Sequence, residues 1–147
     1  MLIRAIIAFV VLPGTVAFAI PVWIGYGAPL RYPLLAAPLL LAGITLLLWC
    51  VREFYVTGRG TLAPWAPPRN LVTSGPYRFC RNPMYLAVAT ILVGWCLLWD
   101  TRTLIYYALV SAGVFQIRVL LFEEPWAART FGEQWRAYRA RVRRWVV

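Results

Sequence analysis

The chain has 147 residues, 62% of them hydrophobic, with a mean hydropathy of +0.68 and a net charge of +10. A soluble domain of this size has too little interior to hide so much apolar side chain, so the composition points to an integral membrane protein. All the basic charge comes from 15 arginines, with neither lysine nor histidine. They flank apolar runs and carry no nucleic-acid-binding signature, so anionic headgroups explain them and nucleic acid does not.

The first apolar run, Ala5 to Ile24, is uncharged, and Pro13-Gly14 and Pro21 are set to bend it. One arginine precedes it, as in a secretory signal, but no small-residue cleavage site with a soluble mature domain follows, which favours a span. Leu34 to Val51 is a second clean run. The 52–83 connection is rich in turn formers: Gly58-Arg59-Gly60, Pro64, Pro67-Pro68, Gly75-Pro76 and Pro83. It lacks the Gly-Lys-Ser/Thr of a phosphate loop. Leu62, Trp65, Leu71, Val72, Tyr77 and Phe79 predict a loop folded onto the membrane face.

Met84 to Trp99 and Thr103 to Phe122 follow, the latter interrupted by Arg118 alone. A span takes about 20 apolar residues, so the third run is marginal. Asp100-Thr101-Arg102 leaves room for a tight turn, which makes runs three and four an antiparallel helical hairpin. In the tail, Phe131, Trp135, Tyr138, Val142 and Trp145 recur at steps of 4, 3, 4 and 3, an apolar stripe that reads as an amphipathic helix in the interface. The expected fold is all-α and integral to the membrane. It has about four transmembrane helices with that hairpin, a cytoplasmic loop and a C-terminal amphipathic helix, in one membrane domain over 1–147 with two spans in 1–57 and a second part over 58–147.

Orientation follows from the arginines. With the N-terminus cytoplasmic, Arg4, Arg52, Arg59, Arg69, Arg78, Arg81, Arg129, Arg136, Arg139, Arg141, Arg143 and Arg144 lie inside and Arg31 and Arg102 outside. Both termini, the long connection and the end of the fourth run then face the cytoplasm. Cys50, Cys80 and Cys96 fit no metal spacing and have no histidine to complete a site, so no metal is expected. The missing histidine also removes the usual serine and cysteine catalytic arrangements.

Two stretches combine polar groups with the end of an apolar run: Leu71 to Tyr85, and Glu123-Glu124-Pro125 with Phe131-Gly132 and Tyr138. Ionisable groups at such a boundary are costly and suggest function. Asn82-Pro83 sets a helix start, and the first-turn amides around Met84 and Tyr85 have no intrahelical acceptor, so they can take an anionic group. Glu123 and Glu124 repel each other and want a cationic or hydroxyl-rich partner. Either a ligand supplies it, or the pair is satisfied by Arg118, Arg78 or Arg81.

Taken together, Leu71-Val-Thr-Ser-Gly-Pro-Tyr77, Arg81-Asn-Pro-Met-Tyr85 and Glu123-Glu124 with Phe131-Gly132, Tyr138, Val142 and Arg144 resemble the signature of the isoprenylcysteine carboxyl methyltransferase and phospholipid methyltransferase superfamily, over roughly residues 58 to 146. The Arg-Asn-Pro-Met-Tyr and Glu-Glu-Pro forms look most like its small bacterial members, and arginine without lysine suits a high-GC bacterial genome and hence an inner-membrane location. The resemblance implies a membrane enzyme using S-adenosylmethionine, with 58–147 as its methyltransferase-like part. It implies cofactor contacts from Arg69, Asn70, Leu71, Val72, Tyr77, Arg81, Asn82, Pro83, Met84, Tyr85, Glu123 and Glu124, with Tyr77, Tyr85 or Trp65 against the adenine.

Glu124 is the candidate base and Tyr85 the second catalytic candidate, for methyl transfer to a lipophilic or membrane-associated acceptor. Isoprenoid or prenylcysteine-like carboxylates, lipid amines and phenolic lipids all fit. The carboxyl methyltransferases usually carry His where this chain has Asn82, a residue that hydrogen-bonds but cannot become charged. They also carry an acceptor-side Arg four residues before the first Glu. Here that position is Val119, and Arg118, one place and about 100° away, is the candidate substrate contact. The rival readings are a non-catalytic membrane structural or scaffold protein and, less well supported by one internal ionisable residue, a transporter.

Overall fold

A computed structural model describes residues 7, 10–60 and 67–146, and every regular element among them is helical. A π-helical segment, Val10–Ala19, runs into α1 (Ile20–Gly25). Next come α2 (Pro33–Val56), a 3-10 turn (Gly75–Arg78), α3 (Pro83–Trp99) and α4 (Arg102–Arg118). A π turn (Val119–Glu123) then carries the chain without a break into α5 (Glu124–Arg141). The regions around Leu62, Pro64 and Trp65 lie outside the described residues.

Two helical stretches, Pro33–Val56 and the continuous Arg102–Arg141, are long and apolar enough to cross a membrane, while Pro13–Gly25 and Pro83–Trp99 are shorter apolar helices. The apolar side chains of the long helices point mostly outward: Leu34, Leu41, Leu48, Leu109, Val110 and Val114 are all exposed. A core helix of a soluble protein would bury them, so this surface belongs in lipid.

The helices are held at their centre by close approach of α2 to α3. Ala36, Gly43, Leu47 and Cys50 form one buried face of α2. It meets Ala87, Val88 and Ile91 of α3. A Cβ on Gly43 would sit 2.6 Å from Ile91 Cγ1 and 3.0 Å from the Ala87 carbonyl oxygen, so glycine is what lets the backbones approach. The N-terminal segment is tied in through a defect of its own. Pro21 has no N–H, which orphans carbonyls one turn earlier. Trp95 Nε1 donates to the Ala17 oxygen at 2.8 Å and the Tyr107 hydroxyl to the Val16 oxygen at 2.9 Å. Carbonyls buried among apolar side chains, away from water, need such donors.

At one end of the bundle, the 26–32 connection is pinned to the end of α3: Arg31 N donates to the Leu98 oxygen at 2.8 Å. At the other end, the loop before α3 packs onto α2. Glu53 is 6% exposed and accepts hydrogen bonds from Ser74 and Thr57, while the Gly58 oxygen accepts from the amides of Arg69 (2.8 Å) and Asn70 (3.2 Å). The packed loop expected from its aromatic residues is therefore present over residues 67–82. Phe79 is the exception and is exposed.

The tail differs from a single amphipathic helix. α5 is kinked at Gly132, whose φ of 49° and ψ of −115° suit glycine, and it ends at Arg141. Val142 is extended, so Trp145 lies beyond the helix, with its Nε1 on Gln116 Oε1 at 2.9 Å. The tail turns back on the bundle because the groups it can bond, described below, stand there.

Gly43→Ala should cost about 1–3 kcal/mol through overpacking against a rigid carbonyl. Gly113→Ala, where an added Cβ meets nothing within 4 Å, should be neutral or slightly stabilising. Thermal unfolding midpoints of both variants in the same detergent check the contrast.

Candidate functional site

The loop, the start of α3, the π turn and α5 enclose a cavity of about 420 Å³, within the range of small-molecule pockets. Asn82 and Met84 reach it from the start of α3, and Glu123 and Glu124 from the end of the π turn. The Asn-Pro corner and the acid pair are thus on one cavity. Phe54, Leu71, Val72 and Tyr77 form an apolar side, and Trp126, Phe131, Trp135 and Tyr138 an aromatic one. Trp126 and Phe131 meet edge-on at 5.6 Å, and the Tyr138 hydroxyl donates to the Tyr77 carbonyl at 2.7 Å.

Glu124 is the electrostatic centre. Its side chain is 11% exposed, and it accepts from Arg144 Nε (2.9 Å, Oε1) and Nη2 (2.8 Å, Oε2) and pairs with Arg81 Nη2 (3.0 Å, Oε1). A fork-on-fork pair of this kind fixes geometry as well as charge. The bond to Glu124 holds the Arg144 guanidinium above its usual pKa. Arg81 is more deeply placed, with its side chain 7% exposed, and burial draws its pKa down although Glu124 opposes this. The Arg81 guanidinium lies over the Trp135 ring, 5.6 Å from the centroid. Its Nε is buried with no hydrogen-bond partner among the described residues.

The chain end is stitched to the same corner. Arg81 N donates to the Arg143 oxygen at 2.9 Å, while Asn82 Nδ2 and Cys80 Sγ both donate to the Arg144 oxygen at 3.2 Å. The Asn82 side chain makes no cap bond to the first turn of α3, and Pro83 has no N–H. The amides at the start of α3 are therefore uncapped beside the cavity.

Glu123 is less committed. Its Oε1 accepts from the Tyr85 hydroxyl and from Arg118 Nε at 2.9 Å, and no described residue bonds its Oε2. The contact with Arg118 spans five residues. In a regular α-helix that separation turns about 140°, so the two side chains would diverge. The π turn, in which Glu124 N bonds the Val119 oxygen, adds the residue that brings them onto one face.

The chain matches the model of the phospholipid methyltransferase family over residues 32–134. It belongs to that family, which lies within the isoprenylcysteine carboxyl methyltransferase-like superfamily. No curated protein and no solved structure matches the chain. The match starts at the residue before α2, well ahead of residue 58, and stops within α5 ahead of Tyr138 and Arg144. Membership of a methyltransferase family supports an enzyme with a lipid-like substrate at a membrane.

Of the residues singled out in the sequence of this family member, Leu71, Val72, Tyr77, Arg81, Asn82, Met84, Arg118, Glu123 and Glu124 line the cavity. Arg69 and Asn70 do not: they are exposed, and Asn70 Nδ2 donates to the Thr57 oxygen at 3.2 Å. Pro83 is buried in the first turn of α3, and Tyr85 reaches the site through its hydroxyl on Glu123 while its ring packs on Phe115 at 4.7 Å. The acid pair takes its partners from the chain itself: Arg118 for Glu123, and Arg81 with Arg144 for Glu124. Arg78 is exposed and takes no part. Phe54, Trp126 and the wall role of Trp135 were not legible, because the stripe containing Trp135 reads equally well as a lipid-facing one.

Glu124→Ala leaves two guanidiniums, one of them buried, without their anion and should cost about 3–5 kcal/mol. Arg144→Ala leaves the Arg81 pair and should cost less, about 1–3 kcal/mol. Both should make the chain after Arg141 cleavable by protease, with the larger drop in thermal midpoint for Glu124→Ala.

Proposed function

We propose that the protein transfers a methyl group from S-adenosylmethionine to a lipophilic acceptor held in the bilayer. The observation that carries this reading is the donor set on one cavity. A buried arginine has an unpaired Nε, the first turn of α3 is uncapped, Glu123 has a spare carboxylate oxygen, and the wall is aromatic. The first two match a carboxylate, the third an ammonium or ribose hydroxyls, and the fourth a nucleobase. When bound, the cofactor supplies a methyl group already activated on a sulfonium.

The protein's own work is then alignment and exclusion of water. Arg81 and the α3 amides orient the donor's carboxylate end. The aromatic wall fixes the other end. Glu124, with both oxygens in arginine bonds, holds the loop and tail together and is poorly placed to take a proton. Glu123 is the better proton acceptor for a phenol or amine, with Tyr85 orienting it through its hydroxyl and Arg118 marking the acceptor side. A carboxylate acceptor needs no base.

For the bilayer arrangement, the four apolar helices cross, with α3 and α4 as an antiparallel hairpin and the cavity at the cytoplasmic face. At about 25 Å from its 17 residues, α3 is slightly short of the hydrocarbon thickness and calls for local thinning or snorkelling at its ends. Arginine distribution supports the orientation, which places both termini inside a bacterial inner membrane.

A non-catalytic membrane scaffold would share the self-satisfied acid pair, and cofactor binding separates the two readings. Titration calorimetry of the detergent-purified protein with S-adenosylmethionine should show binding, weakened about ten-fold or more in Glu123→Gln. No heat of binding to the wild type, or unchanged affinity in the variant, defeats the assignment.

A further inference from the structure

Glu53 is a buried acid near the end of α2 that the site just described does not use. A carboxylate withdrawn from water at the end of an apolar helix is costly unless hydrogen bonds replace its hydration. Its Oε1 accepts from Arg52 Nη1 at 3.1 Å, and its Oε2 from Thr57 Oγ1 at 3.1 Å and from the Ser74 hydroxyl. The Glu53 carbonyl oxygen also accepts from the amides of Thr57 (2.9 Å) and Gly58 (3.1 Å). The connection between α2 and α3 therefore departs from this residue and comes back to it 21 residues later.

The return is a close one. Gly75 has a φ of 56°, and a Cβ there would lie 2.8 Å from Trp49 Nε1 and 2.9 Å from Glu53 Cγ. Glycine suits both the conformation and the space. The Gly75–Arg78 turn follows at once, with the Ser74 oxygen accepting from Tyr77 N at 3.1 Å. From the other side, Tyr138 of α5 holds the Tyr77 carbonyl. Tyr77 packs with Cys50 and Val72, and its ring centre lies 5.5 Å from that of Phe54. Phe54, Val72 and Tyr77 line the candidate site, whereas Glu53 does not.

Packing alone does not call for an acid at this position, because an apolar side chain would fill the space without a desolvation cost. What the carboxylate adds is direction, since it accepts from Ser74 in one placement of the turn. We infer that Glu53 is a positioning residue for the donor cavity: by clasping Ser74 it fixes the Gly75–Arg78 turn, and through that turn the Tyr77 side of the cavity. This rests on the S-adenosylmethionine reading above.

The test measures S-adenosylmethionine affinity by titration calorimetry on the detergent-purified full chain. Glu53→Gln and Ser74→Ala should each weaken it about ten-fold. The double variant should bind within about two-fold of Glu53→Gln, because both changes remove the same interaction. Amide hydrogen exchange over residues 71–78 should quicken in both single variants. Gly43→Ala loosens α2 against α3 away from the clasp, and its affinity should stay at the wild-type value. Ser74 is half-buried, so Ser74→Ala serves where Glu53→Gln does not fold. Unchanged affinity in Ser74→Ala overturns the clasp and leaves the donor reading standing, as do effects that multiply in the double variant. Equal weakening in Gly43→Ala also overturns it, by assigning the effect to general loosening. A wild type without affinity overturns the positioning role together with the donor reading.

Discussion

The carboxylate of Glu124 is the point on which the architecture of the site depends. Three segments distant in sequence meet on it: the loop through Arg81, the start of α5 through Glu124 itself, and the chain end through Arg144. A carboxylate and a guanidinium this far from water are tolerated only when paired with good geometry, so neither partner can drift without exposing the other to a desolvation penalty. Such a pair is a modest source of net stability. Its value is specificity, because it permits one relative placement of loop, helix and tail, and that placement leaves the cavity open.

The second constraint is helical phase. α4 must present an apolar surface to lipid over most of its length and polar groups to the cavity at its end, although the chain continues directly into α5. The π turn at Val119–Glu123 resolves this by adding one residue to the turn. Arg118, which regular α geometry would aim elsewhere, thereby reaches Glu123. A local loss of ideal hydrogen bonding serves to rotate two carboxylates into register, which is how π turns commonly earn their place at binding sites.

How much of this was legible in the sequence follows from what each signal measures. The apolar runs located α2, α3 and α4 to within a few residues, because length and hydropathy report directly on burial in lipid. The corner at Asn82-Pro83 and the acid pair were visible because charged and helix-initiating residues stand out beside such runs. Arg118 and Arg81 stood among the partners the sequence offered the acid pair, but Arg144 did not: it reaches Glu124 only because the tail leaves helical geometry after Arg141. The period of 3.6 in the tail stripe was real as far as Tyr138, yet it could not reveal that Trp135 and Tyr138 face the loop and not lipid. Nor does any periodicity announce a π turn, since the turn changes the phase by which periodicity is read.

Asn82 illustrates how placement changes the meaning of a substitution. The resemblance that brings out this site has histidine there, and loss of a titratable ring suggests lost proton chemistry. In this chain the Asn82 side chain donates through Nδ2 to the Arg144 carbonyl, and its backbone N–H bonds Cys80 Sγ. That work needs one N–H of the right reach and no charge, and an amide supplies it as well as a neutral imidazole. The neighbouring Glu123 retains a carboxylate oxygen that no described residue engages, so proton acceptance in the proposed reaction has a place that does not involve residue 82. In the proposed reaction a sulfonium donor asks chiefly for alignment, and what Asn82 offers there is its hold on the Arg144 segment beside Glu124.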